Sequence, residues 1–182
     1  PARLGEIVDR HGRILAATSR SHSLFVDPSR IDDNSQIASL LAEPLGLHAE
    51  QLAERIETHQ DRQFLWVKRH LSVEEVDRIF TLELPQGVWG FREEFVRVYP
   101  QGVLAAHVLG WRNIDGIPQA GVERTLNHLL QGTDGKRQLV RDSRGYVIEV
   151  LEPVTKPPQH GETVWLTLDA EIQRAVETRL NK

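Results

Sequence analysis

Between Ser35 and Phe80 the apolar residues change their spacing, and this switch restricts the possible folds more than any other feature of the chain. Ile37, Leu40 and Leu41 fall on one helical face behind Asn34, which is read as the cap, and Pro44 with Gly46 ends the run. Ala49, Leu52, Ala53 and Ile56 mark a second helix, and Phe64 to Lys68 reads as a strand. Ser72-Val73-Glu74-Glu75 has capping-box spacing and opens a helix with Val76, Ile79 and Phe80 on its apolar face. The turn Pro85-Gln86-Gly87 closes the stretch, which predicts a small α/β lobe over about residues 30–85.

On either side of that lobe the signals are those of strands and turns. Ile7-Val8 and Ile14-Leu15 flank Asp9-Arg10-His11-Gly12 as a hairpin, and Ser23 to Asp27 is a further strand ended by Pro28. Val88 to Tyr99 reads as extended until Pro100-Gln101-Gly102 breaks it, and a short apolar helix through His107 stops at Gly110. A Gly/Pro/Asp-rich loop leads to Gly121, then a helix over Val122–Gln131 stops at Gly132. Lys136–Asp142 and Tyr146–Leu151 flank Ser143-Arg144-Gly145 as a second hairpin, and Pro153 to Gly161 reads as a linker. Thr163 to Leu168 alternates as a strand, and Asp169 caps a helix with Ile172, Val176 and Leu180 on one face. The class expected is α+β: strands and hairpins over residues 1–160 carrying the inserted lobe, then a strand-helix unit over residues 161–182. With nothing after it to cover its apolar face, that unit reads as the start of a domain that continues past Lys182. Pro1 is no translation start, so the chain reads as a processed or trimmed piece of a longer protein.

Composition removes several function classes. The net charge is −4, and 18 arginines and four lysines are interspersed with acids, so no basic stripe offers itself to nucleic acid. The absence of cysteine excludes disulfides, thiolate zinc sites and thiol catalysis together. The longest apolar run, Val103 to Leu109, is far short of the roughly 18–20 residues that span a bilayer. No serine has a lysine three positions on, and Ser-x-Asn, Lys-Thr-Gly, the nucleophile elbow, His-Glu-x-x-His and phosphate or dinucleotide glycine loops are all missing. The eight histidines show no metal-ligand spacing. His107, in an apolar helix, is read either as a base of shifted pKa or, more ordinarily, as a hydrogen-bonded core or capping residue. The adjacent carboxylates Glu93 and Glu94 point to opposite faces of a strand and cannot share a site. No catalytic residue, cofactor or metal is therefore expected.

Five segments, in order, carry a resemblance. Gly5-Glu6-Ile7-Val8-Asp9-Arg10-His11-Gly12-Arg13-Ile14-Leu15-Ala16 resembles the motif that follows the membrane anchor of class B penicillin-binding proteins. Arg97-Val98-Tyr99-Pro100-Gln101-Gly102 with Ala105, His107, Leu109 and Gly110 is similar to that family's second N-terminal motif, and Gly121-Val122-Glu123 with Leu130, Gly132 and Gly135 to its third. Asp142 and Gly145 fit the family's hairpin, and Gly161, Leu166-Thr167-Leu168-Asp169 and Ile172-Gln173 resemble the entry into the transpeptidase domain. The short connection from Gly110 to Gly121 is more like the division (septal) members than the elongation ones. One departure stands out: Leu4 precedes Gly5 where the family has arginine, and the arginine sits at Arg3.

The resemblance implies a non-catalytic dimerisation, or pedestal, domain on the extracytoplasmic, periplasmic face of the cytoplasmic membrane. It would stand above a single N-terminal anchor, the only membrane contact, and below a penicillin-sensitive D,D-transpeptidase domain that cross-links peptidoglycan. Its partners would be that domain, a membrane-embedded SEDS glycan polymerase and other divisome proteins, with self-association. A stand-alone scaffold or sensor that has lost the transpeptidase is the alternative. The structural and interdomain residues carried over are Asp9, Arg10, Gly12, Arg97, Tyr99, Pro100, Gly102, His107, Gly110, Gly121, Glu123, Asp142, Gly145, Asp169 and Gln173. Glu123 is expected to pair with Arg10, Arg97 or both where the three motifs converge. Trp111 and the inserted lobe are weighed as partner contacts against ordinary packing.

Overall fold

A computed structural model describes residues 1–136, 139–141, 147–150 and 156–180. The expected hairpin forms: β1 (Ile7–Val8) pairs antiparallel with β2 (Ile14–Val26), Ile7 opposite Ala16. β2 is one strand of thirteen residues rather than two short ones. Its middle is polar and shows no apolar alternation, yet these side chains find partners: Thr18 Oγ1 donates to Leu4 O (3.2 Å) and Ser21 Oγ to Leu71 O (3.3 Å).

Beyond β2, α1 (Asn34–Leu45) and α2 (Ala49–Thr58) lead to β3 (Leu65–Leu71), α3 (Val73–Phe80) and β4 (Trp89–Val98). The cap of α1 is Asp33, not Asn34: its carboxylate accepts Gln36 N–H at 2.9 Å from an extended backbone, which leaves Asn34 as the first helical residue. Pro44 lies inside the last turn, and Gly46 at φ 63° ends the helix. The capping box of α3 is complete in both directions, Glu75 N to Ser72 Oγ (3.2 Å) and Ser72 N to Glu75 Oε2 (3.0 Å).

The remainder comprises α4 (Ala106–Leu109), α5 (Gly121–Thr125), α6 (Asn127–Leu130), β5 (Leu139–Arg141) paired with β6 (Val147–Val150), β7 (Val164–Trp165) and α7 (Ala170–Leu180). The single helix expected over Val122–Gln131 is broken at Leu126 into α5 and α6. Arg112 Nη2 takes the Glu123 carbonyl (3.3 Å), the acceptor a continuous helix offers to Asn127 N–H. β7 runs parallel to β1, with Ile7 opposite Val164. Within the proline-rich stretch, Gln159 and Lys156 exchange backbone hydrogen bonds with Thr133 and Lys136, and Gly161 N–H donates to Arg3 O (2.9 Å).

Two units result. The first is Pro1–Ser19 with Val96–Lys182, and the second is Arg20–Phe95. The first has a core of Ile7, Leu15, Leu104, Leu109, Leu130 and Val164. In the second, Leu24, Val26 and Val67 of the strands meet Ile37, Leu41, Leu52, Ile56 and Ile79 of the helices. The mixed α+β class is the one the sequence predicts.

Candidate functional site: a buried ion cluster and a capped hairpin

The first unit buries a cluster of three charged side chains. Glu123, in the first turn of α5, has no exposed surface. Its Oε1 accepts Arg97 Nε at 2.7 Å, and its Oε2 accepts Arg112 Nε at 2.5 Å. The arginine side chains are only 4% and 3% exposed. Arg97 comes from the end of β4 and also donates through Nη1 to Gly5 O (2.7 Å). Arg112 comes from the loop after α4 and donates to Gly116 O (2.9 Å) and Asn127 Oδ1 (2.7 Å). The carboxylate thus joins α5 to the end of β4 and to the loop after α4, and Arg97 extends the link to the Gly5 segment. Desolvating three charges is expensive, and only this many hydrogen bonds offsets it. Tyr99 completes the cluster, its hydroxyl 3.4 Å from Glu123 Oε1. Burial, reinforced by the nearby Glu123 charge, pushes its phenol up to about 12.

Of the two arginines expected at Glu123, Arg97 is there and Arg10 is not. Arg10 donates to Thr167 O from both Nε (2.9 Å) and Nη2 (2.6 Å), at an exposed position. The second partner, Arg112, was missed because it sits in an aperiodic loop outside the recognised motifs. Its only signal was a lone arginine next to Trp111 with a motif glutamate eleven residues on.

A second polar centre lies at the β1–β2 turn. Asp9 is fully buried; its Oδ1 accepts His11 N–H (2.8 Å) and Arg13 N–H (2.9 Å), and its Oδ2 accepts Ala170 N–H (3.1 Å). It therefore closes its own turn and caps the first residue of α7. Asp169 performs the ordinary capping at Glu171 N–H (3.0 Å) and meets His11 Nε2 at 3.0 Å. Burial pushes the Asp9 carboxyl up, but the backbone donors from Ala170, Arg13 and His11, together with the Arg13 charge, outweigh it and hold the group below its ordinary value. Asp169 is likewise lowered: its desolvation is outweighed by the Ile172 and Glu171 amides and by His11.

Other motif residues are spread around these two centres. Gly12, at φ 81°, closes the hairpin turn, and Pro100 and Gly102 form a turn in which Gly102 N–H donates to Tyr99 O (2.9 Å). Gly110 and Gly121 meet backbone to backbone: a Cβ on Gly121 would lie 2.5 Å from Gly110 N. His107 is exposed on α4, so it is not a core residue. Gln173 Nε2 donates to Glu177 Oε1 (2.7 Å), which also accepts Ala105 N–H (3.0 Å). The polar side of α7 thus faces its own unit, while Ile172, Val176 and Leu180 are exposed. Asp142 and Gly145 lie outside the described residues. Among the described residues no helix is long and apolar enough to cross a membrane.

Apart from Arg112, the charged residues of these centres lie on the segments that carry the resemblance, and comparison with known proteins gives the same family. The Penicillin-binding Protein dimerisation domain matches residues 1–166. The chain is 35% identical over its whole length to the probable peptidoglycan D,D-transpeptidase PenA of Neisseria gonorrhoeae, of which it covers 31%. It is 32% identical over 97% of its length to the peptidoglycan D,D-transpeptidase FtsI of Escherichia coli K12, of which it covers 30%. It therefore spans about a third of these relatives. Among solved structures, penicillin binding protein 2X of Streptococcus thermophilus is similar at a TM-score of 0.58 and 26% identity, over 99% of this chain and 30% of that one. A peptidoglycan synthetase from Bifidobacterium adolescentis aligns at a TM-score of 0.58 and 25% identity, over 97% of this chain and 37% of that one. The chain belongs to the penicillin-binding-protein dimerisation domain family.

Proposed function

We propose that this chain is the non-catalytic pedestal of a serine-type peptidoglycan D,D-transpeptidase, and that it positions the transpeptidase domain outside the cytoplasmic membrane. The observation that carries the reading is the double anchoring of α7. Asp9 caps its first residue and Glu177 fixes its middle, so the helix is aimed by the motif hairpin while its apolar stripe is left outward. A helix held by its polar side suits the first element of a domain packing on the other side. Residues from about 161 onward belong to that domain in this reading. Asp9, Arg10, Asp169 and Gln173 serve as interdomain residues, and Arg97, Tyr99 and Glu123 as the structural junction beneath them.

The finer assignments rest on the family resemblance. A septal rather than elongation role is supported by the short Gly110–Gly121 connection and the FtsI relative, and contact with a SEDS-type glycan polymerase and other divisome proteins is what the resemblance alone implies.

Labelling with a fluorescent penicillin tests the reading, applied to this chain and to the product of the complete gene. Labelling of the long product alone supports an inert pedestal on an acyl-enzyme serine protein. Labelling of neither overturns it in favour of a scaffold or sensor.

A further inference from the structure

The loop between Gly110 and Gly121 is pinched shut and armoured. Its neck is the close backbone approach of those two glycines, and Gln119 N–H donates to Trp111 O (2.9 Å) just beyond it. Arg112 pairs with Pro118 across the loop, and Asn113 N–H donates to Ile117 O (3.0 Å). At the tip, Asn113 Oδ1 accepts the amides of Asp115 (3.0 Å) and Ile117 (2.9 Å).

This register sorts the side chains. Arg112 points inward to Glu123, so its neighbours Trp111 and Asn113, with Ile117 opposite Asn113, lie on the other side of the ribbon. Trp111, Ile114 and Ile117 are 55%, 56% and 55% exposed, on a loop whose backbone has no freedom to tuck them away. The loop's one cation is spent inward, and Asp115 is its one acid.

We propose that this loop docks into the interfacial layer of a lipid bilayer, with Trp111, Ile114 and Ile117 as its inserted residues. Area decides against a second copy as occupant. The three side chains offer roughly 300–350 Å², whereas a stable protein interface takes about 800 Å² from each partner. A bilayer asks for no matching surface, and tryptophan beside aliphatic residues suits the headgroup boundary. With one acid and no free base, the attraction is apolar and does not depend on anionic lipid. This contact is additional to any N-terminal anchor.

The test is co-sedimentation of the 182-residue chain with phosphatidylcholine vesicles, alongside the triple variant Trp111→Ser, Ile114→Ser, Ile117→Ser and the single variant Trp111→Ala. Circular dichroism checks that each variant is folded. The expected result is partitioning insensitive to salt and to added phosphatidylglycerol, weakened at least tenfold in the triple variant and measurably in the single one. Absence of vesicle binding, or binding the variants retain, overturns the proposal. So does a concentration-dependent dimer, seen by analytical ultracentrifugation, that the triple variant abolishes.

Discussion

Glu123 and Arg10 are both charged motif residues, yet their environments set very different consequences for removing them. Glu123→Ala strands two arginines in the core and is expected to cost about 3–5 kcal/mol. Arg10→Ala, at an exposed site, is expected to cost under about 1 kcal/mol. Urea denaturation midpoints of the two variants check the contrast, and equal shifts would remove Glu123 from its central role. Asp9 supports a pH prediction. Its carboxyl is held below the ordinary value in the folded chain. The unfolded chain therefore binds the extra proton as pH drops below about 4. The stabilisation is full at neutral pH and is lost as pH falls through the folded value. Asp9→Asn should flatten the dependence of melting temperature on pH in that acid range. An unchanged slope would show that the group does not report folding.

At the scale of elements, the chain's punctuation was easier to read than its continuity. The hairpin at Asp9–Gly12, the Ser72 capping box and the Asp169 cap were legible because turn and cap residues act locally. The unbroken β2 was not, since its polar middle is held by long-range partners that no period records. The α5–α6 break was hidden for a similar reason: an arginine from another loop competes for a helical carbonyl. In the candidate site, Glu123 and Arg97 were legible through motifs, whereas Arg112 had none. Glycine positions can be ranked by what surrounds them. Gly46→Ala puts a side chain at positive φ in open space and should cost about 1–2 kcal/mol. Gly121→Ala adds a clash 2.5 Å from both Gly110 N and Val108 O and should cost more. Thermal melts of the pair test the order, and an equal loss would deny the close approach its weight.

Across the whole molecule there are two hydrophobic cores, and each should answer for its own unit. Leu41→Ala opens the core of Arg20–Phe95 and Leu15→Ala that of the other unit, each at about 2–5 kcal/mol. Native-state hydrogen exchange is expected to show protection lost mainly within the substituted unit. Loss spread evenly over the chain would mean a single cooperative fold.

The first unit is discontinuous in sequence, closed by partners as distant as Asp9 and Ala170. Synthesis on the ribosome therefore delivers the parts out of order. Arg20–Phe95 has all its residues early and can fold as soon as it emerges. The opening nineteen residues must wait, with the Asp9 carboxylate still hydrated, until β7 and α7 appear. Their long-range closure is the slow event, so a segment made before all of Arg20–Phe95 is among the last to find its place.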